Sequence, residues 1–238
     1  MKFRASTLDE RKKFYKSEFR INNLKSWFAD NKIKIPQIWA IDAGSDSGII
    51  KDKKWKNFLF YFPFKELKEK IEKYAPEDIY YDRNIYSAPK KILKTLNFDK
   101  CMSQELVFDI DAENITCLCR DKKVCNKCIR LACNLAFEMK KLLEKNENFK
   151  KIKIVYSGKG FHIHVLDNNA SKLTTEQREK LNKKYSEFPI DPWVSQGNIR
   201  LIRAPHTLNG TVSRIAMPVD SERSFKKNKS IPKFMKKD

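Results

Sequence analysis

Leu106-Val107-Phe108-Asp109-Ile110-Asp111 decides how this chain is read. In a β-strand, side chains at i and i+2 share a face. Phe108 and Ile110 therefore pack one way, and Asp109 and Asp111 stand together on the other. Two carboxylates held that close repel each other unless a cation lies between them. A hard divalent cation with oxygen ligands, Mg2+ or Mn2+, resolves the conflict. Such a pair is the usual core of a two-metal phosphoryl-transfer site. A bare D-x-D also occurs at strand ends whose carboxylates simply face water, so the rest of the sequence has to decide.

The chain has 238 residues, room for one large α/β domain or two small ones, and its 41% apolar content is enough for a core. Lys and Arg number 50 against 30 acids, a formal net charge of +20. That balance points to a polyanion partner, nucleic acid first. A charge-rich thermophilic surface would carry Glu to match its Lys. No apolar run reaches the ~18 residues of a membrane span, so no membrane partner is expected. The opening MKFRASTLDERKKF lacks the apolar region of a signal peptide. An intracellular protein is expected.

Cys117, Cys119, Cys125 and Cys128 fall in the run C-L-C-R-D-K-K-V-C-N-K-C. In an intracellular chain such cysteines read as metal ligands before disulfides. Four thiolates in so short a span suit one tetrahedral, structural Zn2+, and leave no open position for catalysis. The closing C-x2-C is the sharper half; the opening C-x-C could be one ligand plus a bystander. Arg120, Asp121, Lys122 and Lys123 mark the segment as a surface loop, which places a zinc-binding loop at 115–130.

Around these motifs, residues 8–28 read as one amphipathic helix, with Phe14, Phe19, Leu24 and Phe28 as its buried stripe and Thr7 as its cap. Strands are expected at 38–41, 57–62, 78–81, 104–111, 152–156, 161–166, 199–203 and 212–218, with a loop at 42–48. Helices are expected at 64–74, 89–96, 126–146 and 174–188. In the third of these, Ile129, Cys133, Phe137 and Leu142 face inwards; the last opens on a Thr174/Gln177 capping box. The basic tail, 226–238, reads as loosely held. With no repeat and no long linker, the whole chain reads as a single domain, 1–238. Hairpin-like spacing in the second half argues for an α+β fold with mixed or antiparallel sheets flanked by helices. A doubly wound dinucleotide fold would need G-x-G-x-x-G between strand and helix, and the motif is absent.

Two further stretches carry candidate chemistry. Y-S-G-K-G-F-H-I-H-V spans 156–165. Gly158 and Gly160 permit a tight turn and close approach to a phosphate. Ser157 offers a hydroxyl and Lys159 a point charge. His162 and His164 alternate onto one strand face. The alternative is a plain β-hairpin with polar outer residues. The last stretch contains Asp191, a third candidate carboxylate, and RLIRAPHTLNG at 200–210. Arg203 ends its strand before Ala204-Pro205, where a guanidinium at a sheet edge could face a site.

Taken in order, these stretches resemble the catalytic small subunit of archaeal and eukaryotic DNA primase. That family has a D-x-D strand, a cysteine-rich zinc loop, a helix, a strand with an S-G…H turn, a third aspartate, and a basic strand ending in proline and a polar turn. The resemblance covers roughly residues 78–220; residues 1–75 match loosely. It implies the primase catalytic fold with an inserted zinc loop. It implies that Asp109, Asp111 and Asp191 hold two Mg2+ or Mn2+ ions. Ser157, Gly158, Lys159 and His162 would hold the nucleotide triphosphate, with Arg203 and Asn209 contacting it from the other side. The implied partners are single-stranded DNA, an NTP or dNTP, and a primase large subunit or a fused equivalent.

Two departures from the family pattern stand out. The turn at 157–162 is one residue shorter than S-G-x-R-G-x-H, and Asn209 stands where a histidine is expected, with His206 three residues earlier. The activity implied is DNA-directed primer synthesis by a nucleotidyltransferase. The alternatives are a repair or plasmid-type primase-polymerase, and a nucleic-acid-binding module of the same fold that has lost catalysis.

Overall fold

The structure, a computed structural model, describes residues 3–44, 46, 59–115 and 124–236. In chain order the elements are α1 (Leu8–Ser17), α2 (Ile21–Asp30), β1 (Trp39–Asp42), β2 (Leu59–Phe62), α3 (Leu67–Tyr74), β3 (Asp78–Asp82), β4 (Asn84–Ile85), α4 (Pro89–Thr95) and β5 (Ser103–Gln104). There follow β6 (Leu106–Asp111), α5 (Asn126–Asn146), β7 (Ile152–Tyr156), β8 (Gly160–Val165), α6 (Thr175–Lys184), α7 (Pro192–Gln196), β9 (Leu201–Arg203), β10 (Leu208–Asn209), β11 (Arg214–Ile215) and β12 (Met217–Val219). Short 3-10 turns join several of them.

The chain falls into two compact units. One comprises Met1–Met102, Leu201–Ala216 and Lys227–Asp238; the other comprises Ser103–Arg200 and Met217–Lys226. The second unit is built on the sheet β12-β7-β8-β6, antiparallel throughout. Phe108 and Ile110 lie opposite Ile163 and Phe161, and all four are fully buried. Helix α5 packs on β6, β7 and β8. Its buried line is Ile129, Cys133, Phe137 and Leu143. Leu143 takes the place expected of Leu142, because a stripe of period 3.6 drifts round the helix. The Thr174 capping box is present: the Thr174 hydroxyl accepts from the Gln177 amide at 3.3 Å, and the Gln177 side chain accepts from the Thr174 amide at 2.9 Å. The helix it opens stops at Lys184, short of the expected 188.

The first unit carries the sheet β11-β10-β3-β1-β2, with β9 also paired to β3. Trp39 of β1 faces Phe62 on one side and Tyr81 on the other. Phe28 meets the rings of Trp39 and Tyr81 edge-on at 5.9 and 5.6 Å.

The single helix expected over 8–28 is two helices, α1 and α2. Phe14 and Phe19 are five residues apart, which in one continuous helix would set them about 140° apart around the axis. The break resets the phase, so that Phe14, Phe19, Leu24 and Phe28 are all buried. The carbonyl of Phe14 accepts from both the Glu18 and Phe19 amides, at 2.8 and 3.0 Å, and closes α1.

The tail is also a correction. Residues 227–236 form two 3-10 turns, Lys227–Ser230 and Lys233–Met235, and Ser230 is fully buried. The Lys233 amide donates to the Glu18 carboxylate at 2.9 Å, which ties the segment to the end of α1. Parts of the loop expected at 42–48, the start of the strand expected at 57, Cys117 and Cys119 lie outside the described residues. Among the described residues no helix is long and apolar enough to cross a membrane.

Candidate active site

Strand β6 alternates as its sequence requires. Phe108 and Ile110 are buried, while Asp109 and Asp111 are half-buried on the other face. The antiparallel register puts Asp109 opposite His162 and Asp111 opposite Gly160 of β8. The His162 Nε2 lies 3.7 Å from the Asp109 carboxylate. Two residues along β8, His164 is fully buried, with Nδ1 2.8 Å from the Glu105 carboxylate. The two imidazole rings are 5.9 Å apart, edge to face. One face of this sheet thus carries two imidazole–carboxylate pairs in succession.

Asp191 reaches the same strand through the backbone. Its amide donates to the carbonyl of Asp109 at 2.9 Å, and Ile190 bridges Ile110 in antiparallel fashion. Asp191 is also the N-cap of α7, its carboxylate accepting from the Trp193 amide at 2.9 Å. Pro192 follows at the first helical position, where its missing N–H costs nothing. A short capped helix thereby fixes the backbone of Asp191 beside that of Asp109.

The hairpin between β7 and β8 is closed by Ser157 and Gly160. The Ser157 amide donates to the Gly160 carbonyl at 2.9 Å, and the Gly160 amide to the Ser157 hydroxyl at 3.2 Å. Gly158 has φ of +112°, a region that side chains disfavour. Gly160 is required for a different reason. A Cβ there would stand 2.4 Å from the Ile110 carbonyl oxygen and 2.9 Å from both Cα and Oδ1 of Asp111. The hairpin presses directly on the second carboxylate. Lys159, at its tip, pairs with Glu113 at 2.7 Å. Glu113 sits in the 3-10 turn that leaves β6.

Arg203 and Asn209 belong to the first unit, where both stand beside β3. Arg203 lies opposite Tyr80, and Asn209 opposite Asp78. The guanidinium of Arg203 is not left at an open edge: it is ion-paired with the buried Asp78 carboxylate and lies 5.2 Å over the Tyr80 ring. Burial works against its charge, but the adjacent Asp78 outweighs it and holds the guanidinium above its ordinary range. Asn209 is buried and accepts from the Thr211 hydroxyl at 2.7 Å. Burial pushes the nearby His206 imidazole down.

Cys125 and Cys128 stand at the start of α5 with sulfurs 3.5 Å apart. Thiolates sharing one tetrahedral zinc at 2.3 Å bonds are roughly 3.8 Å apart, so the pair fits two of its ligands. Among the described residues, no three His, Cys, Asp or Glu side chains converge on one point as a ready metal cluster. The donors nevertheless fit the chemistry of a hard cation. Asp109 and Asp111 offer oxygens from one strand face, and Asp191 offers a third carboxylate on a backbone bonded to that strand.

The structure thus gathers Asp109, Asp111, Asp191, Ser157, Gly158, Lys159 and His162 into one unit, and sets Arg203 and Asn209 together in the other. The partners of Lys159 and Arg203, Glu113 and Asp78, were not singled out from sequence. Each is an acid in an ordinary strand or turn, far along the chain from its cation, with no local signal.

Strand carboxylates beside a glycine hairpin, in a chain of net charge +20, are the makings of a phosphoryl-transfer protein that works on nucleic acid. The DNA primase small subunit family matches residues 108–189. An uncharacterized DNA primase small subunit-like protein of Archaeoglobus fulgidus is 36% identical across 98% of this chain and 91% of its own length. The chain belongs to the DNA primase small subunit family. The small subunits PriS of Thermococcus sibiricus and Pyrococcus horikoshii are 30% and 28% identical, over 75% and 80% of this chain. The chain spans about half the length of those two, 49% and 52%. Among solved structures, the polymerase domain of Mycobacterium tuberculosis Ligase D in complex with DNA has a TM-score of 0.44 and 14% identity, covering 83% of this chain and 78% of that chain. That likeness is too loose to bear on the site. Family membership supports an enzyme of the nucleotidyltransferase type with a primase-type function.

Proposed function

We propose that this chain is a DNA-directed nucleotidyltransferase that synthesises short primers on single-stranded DNA from NTPs or dNTPs. The observation that carries the reading is the bond from the Asp191 amide to the Asp109 carbonyl, which brings the third carboxylate to the D-x-D strand. Asp109, Asp111 and Asp191 would hold two Mg2+ or Mn2+ ions. Bound there, the ions would activate the primer 3′-hydroxyl and neutralise the leaving pyrophosphate.

The chain's own groups do the rest. The Ser157–Gly160 hairpin borders Asp111, and its backbone and Ser157 hydroxyl offer donors to a triphosphate. Lys159 adds a positive charge there once a phosphate displaces Glu113, since an exposed ion pair costs little to open. His162, against Asp109, can donate from its ring to a phosphate oxygen. For Arg203 and Asn209 the proposed role is contact with nucleotide phosphate or sugar, the arginine through a fork that matches phosphate geometry. Fixed donors of this kind stabilise the charge that develops as the phosphoryl group moves.

Cys117, Cys119, Cys125 and Cys128 would hold one structural zinc. The expected partners are the template strand and a primase large subunit or its fused equivalent, in the cytoplasm or nucleoid. The test is unprimed synthesis on single-stranded DNA with labelled ATP or dATP, with and without Mn2+. Products of a few nucleotides or more support the reading; DNA binding with no product in any metal refutes it.

A further inference from the structure

The basic strand does not run straight along β3. Arg203 lies opposite Tyr80, and the Ala204 amide donates to the Ile79 carbonyl at 2.9 Å. Pairing resumes only at Asn209, opposite Asp78. Between them the bulge of Pro205 to Leu208 leaves β3 and bonds instead to residues 214–216, the His206 amide donating to the Ala216 carbonyl at 2.7 Å, with His206 at φ of +66°. The bulge is the segment that separates the two residues expected to meet the nucleotide.

The carboxylate of Asp78, only 3% exposed, lies at the foot of this bulge. From one side it accepts the Arg203 guanidinium. From the other it accepts the amide of Gly210, at 3.2 Å, one residue past Asn209. Its second oxygen accepts the hydroxyl of Tyr80 at 2.9 Å, and the Tyr80 ring lies under the same guanidinium. Gly210 also donates to the Glu77 carbonyl at 2.8 Å, and a Cβ there would stand 2.5 Å from the Glu77 side chain.

We infer that Asp78 is a positioning residue, a clamp across the bulge that sets the Arg203 guanidinium and the Asn209–Gly210 turn at a fixed separation for nucleotide binding. A buried carboxylate with donors from both ends of a loop removes rotamers that the nucleotide would otherwise have to freeze. The inference rests on Arg203 binding nucleotide, as proposed above.

The test is nucleotide KM, kcat and melting temperature for Asp78→Asn, Tyr80→Phe, Arg203→Ala and the double variant Asp78→Asn/Arg203→Ala. Asp78→Asn keeps an acceptor for Gly210 but removes the negative charge that holds the Arg203 guanidinium. It should raise nucleotide KM about tenfold, as loss of one charge-assisted hydrogen bond does, with kcat and template affinity nearly unchanged. Asp78→Glu should restore part of the loss. In the Arg203→Ala background Asp78→Asn should add nothing to KM. Tyr80→Phe, which keeps the ion pair and loses one donor, should give a smaller rise and serves if Asp78→Asn does not fold. Additive effects of Asp78→Asn and Arg203→Ala, or a raised KM for Arg203→Ala with wild-type KM for both Asp78→Asn and Tyr80→Phe, would overturn the clamp. An unchanged KM for Arg203→Ala itself would instead refute the placement of Arg203 on the nucleotide, and the clamp with it.

Discussion

The amide of Asp191 donates to the carbonyl of Asp109 at 2.9 Å, across 82 positions of sequence (191 − 109). That bond makes the backbones of a strand aspartate and a helix-cap aspartate neighbours. Backbone pairing, and not local sequence, therefore sets the two residues side by side.

Gly160 tests how tightly the hairpin presses on that site. Gly160→Ala puts a Cβ 2.4 Å from the Ile110 carbonyl oxygen and 2.9 Å from the Asp111 Cα, both of them strand backbone with little room to give. The variant should lose roughly 1–3 kcal/mol of stability, the cost of overpacking, and most of its nucleotide addition. Thermal melts and synthesis assays would check this; wild-type values in both would mean the strands are not held as closely as found.

Lys159 is paired with Glu113 through an exposed bridge, which contributes little to stability. Lys159→Ala should leave melting within a few tenths of a kcal/mol of wild type, as surface changes do, while nucleotide KM rises several-fold. A normal KM with weaker DNA binding would move Lys159 from the nucleotide to the template.

Zinc is expected at about one per chain, as in four-cysteine structural sites. Elemental analysis of the purified protein reads this directly. Cys128→Ser should lower both zinc content and melting temperature, because Cys128 is buried at the start of α5. Cys133, buried further along the same helix, has its thiol pushed up to about 11 by burial and should take no part. Zinc-free protein that melts normally would count against the site.

Template binding should weaken steeply as salt rises, since cations bound to phosphate release counterions. Titrations between 50 and 200 mM salt, about the range over which such interfaces lose affinity, would show it. A flat response would mean that the +20 charge is a solvated surface.

Much of this was legible in the sequence, and the exceptions have physical reasons. The 126–146 helix and the 152–156 strand were read with their observed bounds, because long runs of one period leave little choice. The D-x-D strand was legible from alternation alone. The break between α1 and α2 was not, since no Gly or Pro marks it. It arises from the phase of Phe14 and Phe19, a tertiary demand. The tail was misread from its charge, because its lysines concealed that Ser230 is buried and that the Lys233 amide reaches Glu18. In the site, the residue types announced themselves but their partners did not. Asp78 and Arg203 are 125 positions apart, and Lys159 and Glu113 are 46 apart. Pairing over such distances is decided by sheet register, which local sequence does not carry.

The most direct measurement is primer synthesis by Asp109→Ala beside wild type, with template affinity and melting temperature taken on the same preparations. Asp109 is half-buried on a strand whose core contacts come from Phe108 and Ile110, so the fold should survive its loss. Removing an acid from a basic protein should leave DNA binding equal or slightly stronger. The account predicts no detectable nucleotide addition by the variant, with Mg2+ or Mn2+, at normal template affinity. Synthesis at the wild-type rate by a folded Asp109→Ala protein would contradict it.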